Sequence, residues 1–304
     1  MVVVALVVTA VLVVRPAGNS PVTRIERFGY RGDAREGVAR VVSTHGDYYH
    51  LVCNETEGEI LARKKKSAFM LKRKSNAHDL SKKEDIPDVE ILQPITGDFV
   101  TFRYNAQGDS MILEVLPRWS HFERKDPTAR RQSQTLAVNF DYLFIMMSLN
   151  ENYSEARLAR FLELAEDMGE AKPIVVLTKS DLLTTNDELR ITNDGCIFLS
   201  NVTGEGLDKI REIAQPGVTI AMVGSSGVGK SSLVNSLAGE EWCATQEIQE
   251  WSGKGRHTTT SRELIMLPNG AMIVDTPGIR EIGIVGEADL SLMKGASTHR
   301  YRIK

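Results

Sequence analysis

The sequence predicts two folded parts, a small all-β barrel followed by an α/β domain built on a mainly parallel sheet. Between residues 37 and 117, five short segments with β-like patterns are separated by polar or glycine-containing turns, which is typical of a small barrel. From residue 135 onward, apolar runs such as FDYLFIMMSL and PIVVLT alternate with helical patterns. This alternation indicates buried parallel strands with helices on both faces of the sheet.

Length and composition are those of a soluble globular protein. The 304 residues suggest roughly two domains, and 42% hydrophobic with 25% charged residues is an ordinary balance. The three cysteines, Cys53, Cys196 and Cys243, are far apart, so they predict neither a disulfide framework nor a CxxC metal site. We expect a cytoplasmic protein that is monomeric and has no membrane partner.

The domain boundaries follow from changes in composition. We expect an apolar extension of unknown role at residues 1–24, an oligonucleotide-binding (OB) barrel at 25–117, a linker at 118–134, the α/β domain at 135–290 and an atypical tail at 291–304. The opening run MVVVALVVTAVLVV would make a helix of about 21 Å, which is shorter than a hydrocarbon core of about 30 Å, and no basic residues precede it. An added strand and a misplaced start codon both stay open.

Charge is distributed unevenly along the chain. The net charge of -3 combines +4 over residues 1–134 with -7 over residues 135–304. Nine basic residues and one acidic residue lie between residues 61 and 83. This segment could bind a phosphate backbone or form a solvated loop, and small all-β domains also serve as scaffolds or protein docks. The candidate RNA-binding residues are Lys64, Lys65, Lys66, Lys72 and Lys74.

The strongest motif is GSSGVGKS at residues 224–231, which matches GxxxxGK[ST] and lies between the strand pattern VTIAMV and the helical pattern SSLVNSLAG. Glycines let backbone N–H groups turn toward phosphates, and a helix N-terminus adds positive potential. Lys230 is expected to contact the β- and γ-phosphates as a catalytic residue, and Ser231 to bind Mg²⁺. The candidate phosphate-binding residues are Gly224, Gly227, Val228, Gly229, Lys230, Ser231 and Ser232.

Two further segments are candidates for the metal and the γ-phosphate. AMIVDTPG places Asp275 at the end of a strand and Gly278 three residues later, as a DxxG element requires. The loop GKGRHTTT supplies Thr259 as a second candidate Mg²⁺ ligand. The start of a β-branched strand is the structural alternative for this threonine run.

Base selection is predicted from TKSD at residues 178–181, which follows the buried strand pattern PIVVL. Asp181 can accept two hydrogen bonds from guanine, while the Lys179 side chain covers the ring and Thr178 is the first residue of the motif. The structural alternative for Asp181 is a helix N-cap. The segment SNVTGEG follows another strand pattern and adds Ser200 and Asn201 as candidate contacts to the base.

The order of these motifs is permuted, because TKSD and SNV precede the phosphate loop. With the barrel in front and the phrases LPRWSHFERK, LAVNFDYLFIMMSL and GKGRHTTT, residues 25–284 resemble the ribosome small-subunit-dependent GTPase A (RsgA) family. The resemblance implies an OB-fold domain, a circularly permuted P-loop GTPase domain, and GTP and Mg²⁺ as ligands. It also implies a late role in maturation of the small ribosomal subunit, with that subunit and its rRNA as partners.

Departures from the family pattern concern zinc and the attacking water. The family has a C-terminal zinc domain, whereas this sequence has no cysteine after Cys243 and only His299 near its end, so we expect no zinc site in these residues. Many GTPases place a glutamine after DxxG, but this chain has Ile279. His257 is the candidate catalytic substitute, in line with the role proposed for the family's switch-region histidine, although loop histidines are more often structural or exposed.

Two alternative functions stay open at this stage. The first is an RNA-binding module that uses its nucleotide as a switch and turns over little. The second is a P-loop GTPase whose client is a protein.

Overall fold

A computed structural model describes residues 22–33, 36–65, 93–124, 134–150, 153–183, 195–239 and 263–275. The chain divides into two compact units, one formed by Val22–Arg118 and the other beginning at Trp119. Each unit has its own buried core, so each is described separately.

The first unit is a closed five-stranded barrel. Its elements are α1 (Arg24–Arg27), β1 (Val38–His45), β2 (Tyr48–Cys53), β3 (Ile60–Lys64), β4 (Phe99–Arg103) and β5 (Ser110–Val115). β1 pairs antiparallel with β2 and β4, β2 with β3, and β4 with β5, while β3 and β5 pair in parallel and close the ring. The five predicted strand segments are therefore confirmed, and the closed barrel fits an OB fold.

Alternating residues of these strands fill the barrel. On β2, for example, Tyr49, Leu51 and Cys53 all face the interior, as the two-residue period of a strand requires. Each fully buried large aliphatic side chain contributes roughly 1.5–3 kcal/mol to stability. The remaining buried members of this core are Ala39, Val41, Ala62, Val100, Phe102 and Ile112.

A buried ion pair ties the last residue of the first unit to its barrel. The Arg118 guanidinium donates to both carboxylate oxygens of Asp98 over 2.8 Å, and the Asp98 side chain is fully buried. The Ile95 backbone N–H also donates to this carboxylate over 2.8 Å. Burial raises the pKa of Asp98, and the hydrogen bond from Arg118 opposes that rise.

The second unit is built on strands and helices in alternation. Its elements are β6 (His121–Arg124), β7 (Gln134–Val138), β8 (Tyr142–Ser148), α2 (Glu155–Leu164), β9 (Lys172–Thr178), the 3₁₀ turn Ser180–Leu182, β10 (Cys196–Leu199), α3 (Leu207–Ile213), β11 (Thr219–Val223), α4 (Lys230–Ala238), β12 (Glu263–Met266) and β13 (Met272–Asp275).

Five of these strands lie side by side in the order β10, β9, β8, β11, β13, and each neighbouring pair is parallel. β12 pairs antiparallel with β13. The continuous apolar runs of β8 and β11 are buried along nearly their whole length, because the side chains on both faces of the sheet are covered. Phe144 and Met146 of β8 pack in one core cluster with Ile210 of α3 and Leu233 of α4.

The segment predicted to be a linker is folded over residues 119–124. The Ser120 hydroxyl donates to the Phe140 carbonyl over 2.6 Å and accepts from the Phe140 N–H over 2.8 Å. β6 follows directly and pairs antiparallel with β7. Ser120 and Phe122 are both buried, so a two-residue burial period exists here that the charges of RWSHFERK conceal.

Several predicted segments lie outside the described residues. They include the apolar run at residues 1–14, residues 66–83 of the basic segment, and residues 276–304, which contain the predicted tail, so the predictions made for them stay predictions. Within the part of the chain that the structure describes, no helix has the length and apolar character needed to span a bilayer.

Candidate nucleotide-binding site

The predicted nucleotide motifs lie at one edge of the sheet in the second unit. TKSD begins at the end of β9, SNVTGEG begins after β10, and the phosphate loop at residues 224–231 follows β11. Asp275 is the last residue of β13. Because these strands are parallel, their carboxyl ends share one edge, which is where α/β sheets bind ligands.

The phosphate loop turns sharply between β11 and α4. Gly227 has φ +71° and Gly229 has φ +102°, backbone conformations that side-chain-bearing residues rarely adopt. Lys230 is the first residue of α4, and its Nζ donates to the carbonyls of Gly224 at 2.7 Å and Ser225 at 3.0 Å. Its ammonium group therefore lies against the loop, beside the backbone that would surround a phosphate.

Gly224 is required where the loop leaves the sheet. A Cβ at this position would lie 2.6 Å from the Met146 carbonyl oxygen and 3.0 Å from Val228 Cγ1. Val228 is itself buried in the core of this unit. The loop is thus held against β8 at one end and anchored in the core in its middle.

Thr178 connects the predicted base motif to the phosphate loop. Its hydroxyl donates to the Val228 carbonyl over 2.6 Å, and the Met147 carbonyl is a second, more distant acceptor at 3.3 Å. Thr178 is 1% exposed, so water does not compete for this hydroxyl. The contact fixes the end of β9 relative to the loop after β11.

The remaining TKSD residues form a tight turn. Lys179 has φ +61° and precedes the 3₁₀ turn, in which Asp181 is exposed. The Ser200 hydroxyl donates to Asp181 Oδ1 over 2.6 Å. Two segments predicted separately, TKSD and SNV, therefore meet through these side chains, and one Asp181 oxygen is already oriented.

The loop after β10 also approaches α4. The Ser236 hydroxyl has Asn201 Oδ1 as an acceptor at 3.2 Å and the Ser232 carbonyl at 2.9 Å. Gly206 ends the loop with φ +75°, and a Cβ there would lie 1.9 Å from the Phe198 carbonyl. The loop path is thus fixed by the end of β10 on one side and by α4 on the other.

The predicted metal ligands are only partly described. Ser231 lies in the first turn of α4, half-buried, and the backbone of Asp275 ends β13. β13 is the parallel neighbour of β11, so both positions lie at the site edge. The candidates Thr259, Gly278 and His257 lie outside the described residues.

Sequence reasoning missed one side-chain contact of the base motif. The Ser180 hydroxyl donates to Glu205 Oε2 over 2.6 Å. Ser180 lies within TKSD and Glu205 within SNVTGEG, but neither was among the candidate site residues. Neither carries a spacing signal, because their contact depends on how the ends of β9 and β10 align.

The candidate RNA-binding lysines are described at two positions only, both in the first unit. Lys64 ends β3, and its Nζ donates to Gln93 Oε1 over 2.8 Å. Lys65 is exposed, and its backbone N–H donates to the Ile112 carbonyl over 3.0 Å. Lys66, Lys72 and Lys74 lie outside the described residues.

A phosphate loop joined to a TKSD motif at the carboxyl edge of parallel strands is typical of the P-loop GTPase class. Comparison with known proteins makes this assignment more specific. The chain belongs to the RsgA GTPase family, whose model matches residues 115–285.

Individual relatives agree with the family assignment. The chain is 43% identical over 197 residues to "Small ribosomal subunit biogenesis GTPase RsgA 2" of Lactiplantibacillus plantarum, covering 63% of this chain and 55% of that protein. It is 36% identical over 273 residues to "Small ribosomal subunit biogenesis GTPase RsgA 1" of Listeria innocua, covering 86% of this chain and 72% of that protein. The chain thus spans little more than half of the first relative's length.

A solved structure supports the fold. The crystal structure of YjeQ from Thermotoga maritima matches with a TM-score of 0.54 and 25% sequence identity, covering 79% of this chain and 74% of that chain. The fold similarity therefore extends well beyond the phosphate loop.

Replacing Gly224 with Ala should destabilise the protein more than replacing Gly227 with Ala. Both changes place a side chain at a positive φ, but a Cβ at Gly227 has nothing within 4 Å. We expect Gly227→Ala to cost about 1–2 kcal/mol through its backbone alone and Gly224→Ala to add about 1–3 kcal/mol through overpacking. Urea unfolding of both variants measures the difference, and equal midpoints would contradict this account of Gly224.

Proposed function

We propose that this protein binds and hydrolyses GTP with Mg²⁺ and acts, through rRNA binding, in maturation of the small ribosomal subunit. The observation that carries the proposal is the 2.6 Å hydrogen bond from Thr178 to the Val228 carbonyl. This bond joins TKSD to the phosphate loop, which supports a single guanine nucleotide that contacts both segments. Membership of the RsgA GTPase family and the names of the relatives supply the ribosomal role.

The domain proposal follows the two compact units. We assign residues 25–117 to an OB-fold domain and residues 135–290 to a circularly permuted P-loop GTPase domain with a mainly parallel sheet. Closure of the barrel through β3 and β5 supports the first assignment. The parallel pairing of β8, β9, β10, β11 and β13 supports the second, together with the position of TKSD before the phosphate loop.

Mg²⁺ suits the side chains at the site edge. It prefers oxygen ligands and usually binds through one or two protein groups together with substrate phosphates. The Ser231 hydroxyl, in the first turn of the helix that follows β11, is one candidate oxygen ligand. Asp275, the last residue of β13, and Thr259 are the other two candidates. When bound, the ion would neutralise charge that develops on the phosphates, while Lys230 and the Gly278 backbone N–H would contact the β- and γ-phosphates.

Asp181 is proposed to select guanine. Its carboxylate offers two acceptors to the N1–H and the exocyclic amine of the base, and adenine has no matching pair of donors. The Ser200 hydroxyl donates a hydrogen bond to Asp181 Oδ1 over 2.6 Å. An oxygen can accept more than one hydrogen bond, so this contact orients the carboxylate without blocking it.

Replacing Asp181 with Asn should lower guanine selectivity. One acceptor becomes an N–H₂ donor that faces donors of the base, and hydrogen bonds to charged groups contribute about 1.5–3 kcal/mol. We therefore expect GDP affinity to fall roughly 10- to 100-fold while ADP affinity stays the same, which calorimetric titration with both nucleotides measures. If the parent protein binds GDP and ADP equally well, the base assignment fails.

Water activation is proposed to involve His257. The residue after the DxxG element is Ile279, which cannot hydrogen-bond a water molecule. His257 lies in the loop GRHTTT beside the candidate ligand Thr259, so loop closure over the γ-phosphate would bring its imidazole toward the attacking water. A positioned acid–base group contributes about 10²- to 10⁴-fold to a rate.

Phosphate release from GTP, measured with and without purified small ribosomal subunits, tests the proposed function. We expect stimulation by subunits, near-complete loss of hydrolysis in Lys230→Ala, and a loss of about 10²- to 10⁴-fold in His257→Ala with nearly unchanged GTP affinity. Nucleotide-dependent co-sedimentation with subunits but no stimulated turnover would favour the nucleotide-switched RNA module. Wild-type turnover in Lys230→Ala would contradict the phosphate-loop assignment.

The basic segment is proposed to contact the rRNA backbone. Lys65 is exposed, and its neighbour Lys64 ends a barrel strand, so the two described lysines of the segment lie at the barrel surface. Phosphate contacts release counterions, which makes such binding weaken steeply with salt.

Reversing five lysines to Glu should weaken association with small subunits and flatten its salt dependence. The variant changes Lys64, Lys65, Lys66, Lys72 and Lys74. GDP affinity should not change, because this segment belongs to the first unit. Co-sedimentation over a range of salt concentrations measures the effect.

A control variant reverses Lys172 and Lys209, which are exposed lysines of the second unit, and should behave like the parent protein. Unchanged sedimentation of the five-lysine variant would instead favour a solvated loop. Salt-independent association of the parent protein would favour a protein client.

A further inference from the structure

A closed set of contacts runs between the TKSD turn and the loop after β10. Ser200 Oγ donates to Asp181 Oδ1 over 2.6 Å, and the Ser200 backbone N–H donates to the Glu205 carbonyl over 3.1 Å. The Glu205 carboxylate in turn contacts the TKSD turn, because its Oε2 accepts a hydrogen bond from the Ser180 hydroxyl over 2.6 Å. Since Ser180 is bonded to Asp181, the four residues form a ring that contains the guanine-selecting carboxylate.

The contact between Ser180 and Glu205 is of the strong kind. It is short and involves an ionised acceptor, and such bonds are about twice as strong as neutral ones. Ser180 is 8% exposed, so water has little access to its hydroxyl. Glu205 is itself exposed, so its restraint on this side of the turn comes from the hydrogen bond to Ser180 and not from packing.

The backbone of Glu205 is itself held in place. Ser200 binds its carbonyl, and the next residue, Gly206, passes so close to the Phe198 carbonyl that a Cβ would lie 1.9 Å from that oxygen. The loop thus presents the Glu205 carboxylate from a fixed position at the end of β10. Because the Glu205 backbone is fixed, its carboxylate can define the position of the TKSD turn that it contacts.

Packing does not hold Asp181, because its side chain is exposed. The turn also begins with Lys179 at φ +61°, a conformation that residues with side chains disfavour. Within the turn, the Leu182 N–H donates to the Lys179 carbonyl over 3.0 Å. Hydrogen bonds from outside must therefore supply the remaining restraint on Asp181.

We propose that Glu205 is a positioning residue for guanine recognition, acting through Ser180 to hold Asp181 toward the base. This inference rests on the proposed function, since it concerns the same nucleotide site. Glu205 need not touch the nucleotide, because its carboxylate is occupied by Ser180. Its effect should be confined to the part of the ligand that Asp181 recognises.

Inosine diphosphate (IDP) isolates that part, because it differs from GDP only by lacking the exocyclic amine. Both nucleotides share every phosphate contact, so the ratio of their affinities reports how well Asp181 is placed. Glu205→Ala should weaken GDP binding roughly 5- to 20-fold, which is less than the loss expected for Asp181→Asn, because Asp181 is held less well but is still present. IDP affinity should fall by a smaller factor, so the ratio of GDP affinity to IDP affinity decreases.

Three further variants test the route through Ser180. Glu205→Gln keeps an acceptor for the Ser180 hydroxyl and should restore most of the parental ratio. Ser180→Ala should match Glu205→Ala, and the double variant should be no worse than either single variant, because both remove one contact. Asp208→Ala removes a nearby carboxylate that is 93% exposed and contacts Arg211, so its ratio should equal that of the parent.

A parental GDP/IDP ratio in Ser180→Ala or Glu205→Ala would overturn the inference, as would equal losses for the two nucleotides, since those indicate loop stability alone. The Ser180→Ala variant keeps the test decisive if Glu205→Ala does not fold, because it removes the same contact. A parent protein without preference for GDP over ADP would instead refute the proposed function. The two failures are therefore distinguishable.

Discussion

The hydrogen bond from the Thr178 hydroxyl to the Val228 carbonyl determines the distance between the two halves of the proposed nucleotide site. Thr178 is the last residue of β9 and Val228 lies in the loop after β11, and β8 lies between those strands. The end of β8 contacts both, since the Met147 carbonyl is a second acceptor for Thr178 and the Met146 carbonyl limits Gly224 to a glycine. β8 contributes no predicted ligand contact, yet it separates and aligns the segments that do.

Glycines let the backbone of the loops pass close to the strand ends. At Gly224 the constraint comes from β8, and at Gly206 it comes from the Phe198 carbonyl at the end of β10. In both cases the backbone passes so close to a strand that a Cβ cannot fit, so only glycine is compatible with its path.

The permuted order of the motifs is compatible with this geometry. Parallel strands place their carboxyl ends at one edge whatever their order along the chain, so TKSD can precede the phosphate loop and still lie beside it. Relinking a compact domain in this way requires only that its original ends lie near each other. What the site needs is the spatial order β10, β9, β8, β11, β13, and the fold retains that order.

The sequence by itself determined the strands of the barrel, the buried runs of β8, β9 and β11, and the phosphate and base motifs, because periodicity and motif spacing are local properties. The tertiary structure alone decided that residues 119–124 are folded, since the charges of that segment conceal the burial of Ser120 and Phe122. It alone also paired Ser180 with Glu205 and Ser200 with Asp181. Those contacts join residues about 20 or more positions apart, and their geometry arises only when parallel strands align in register.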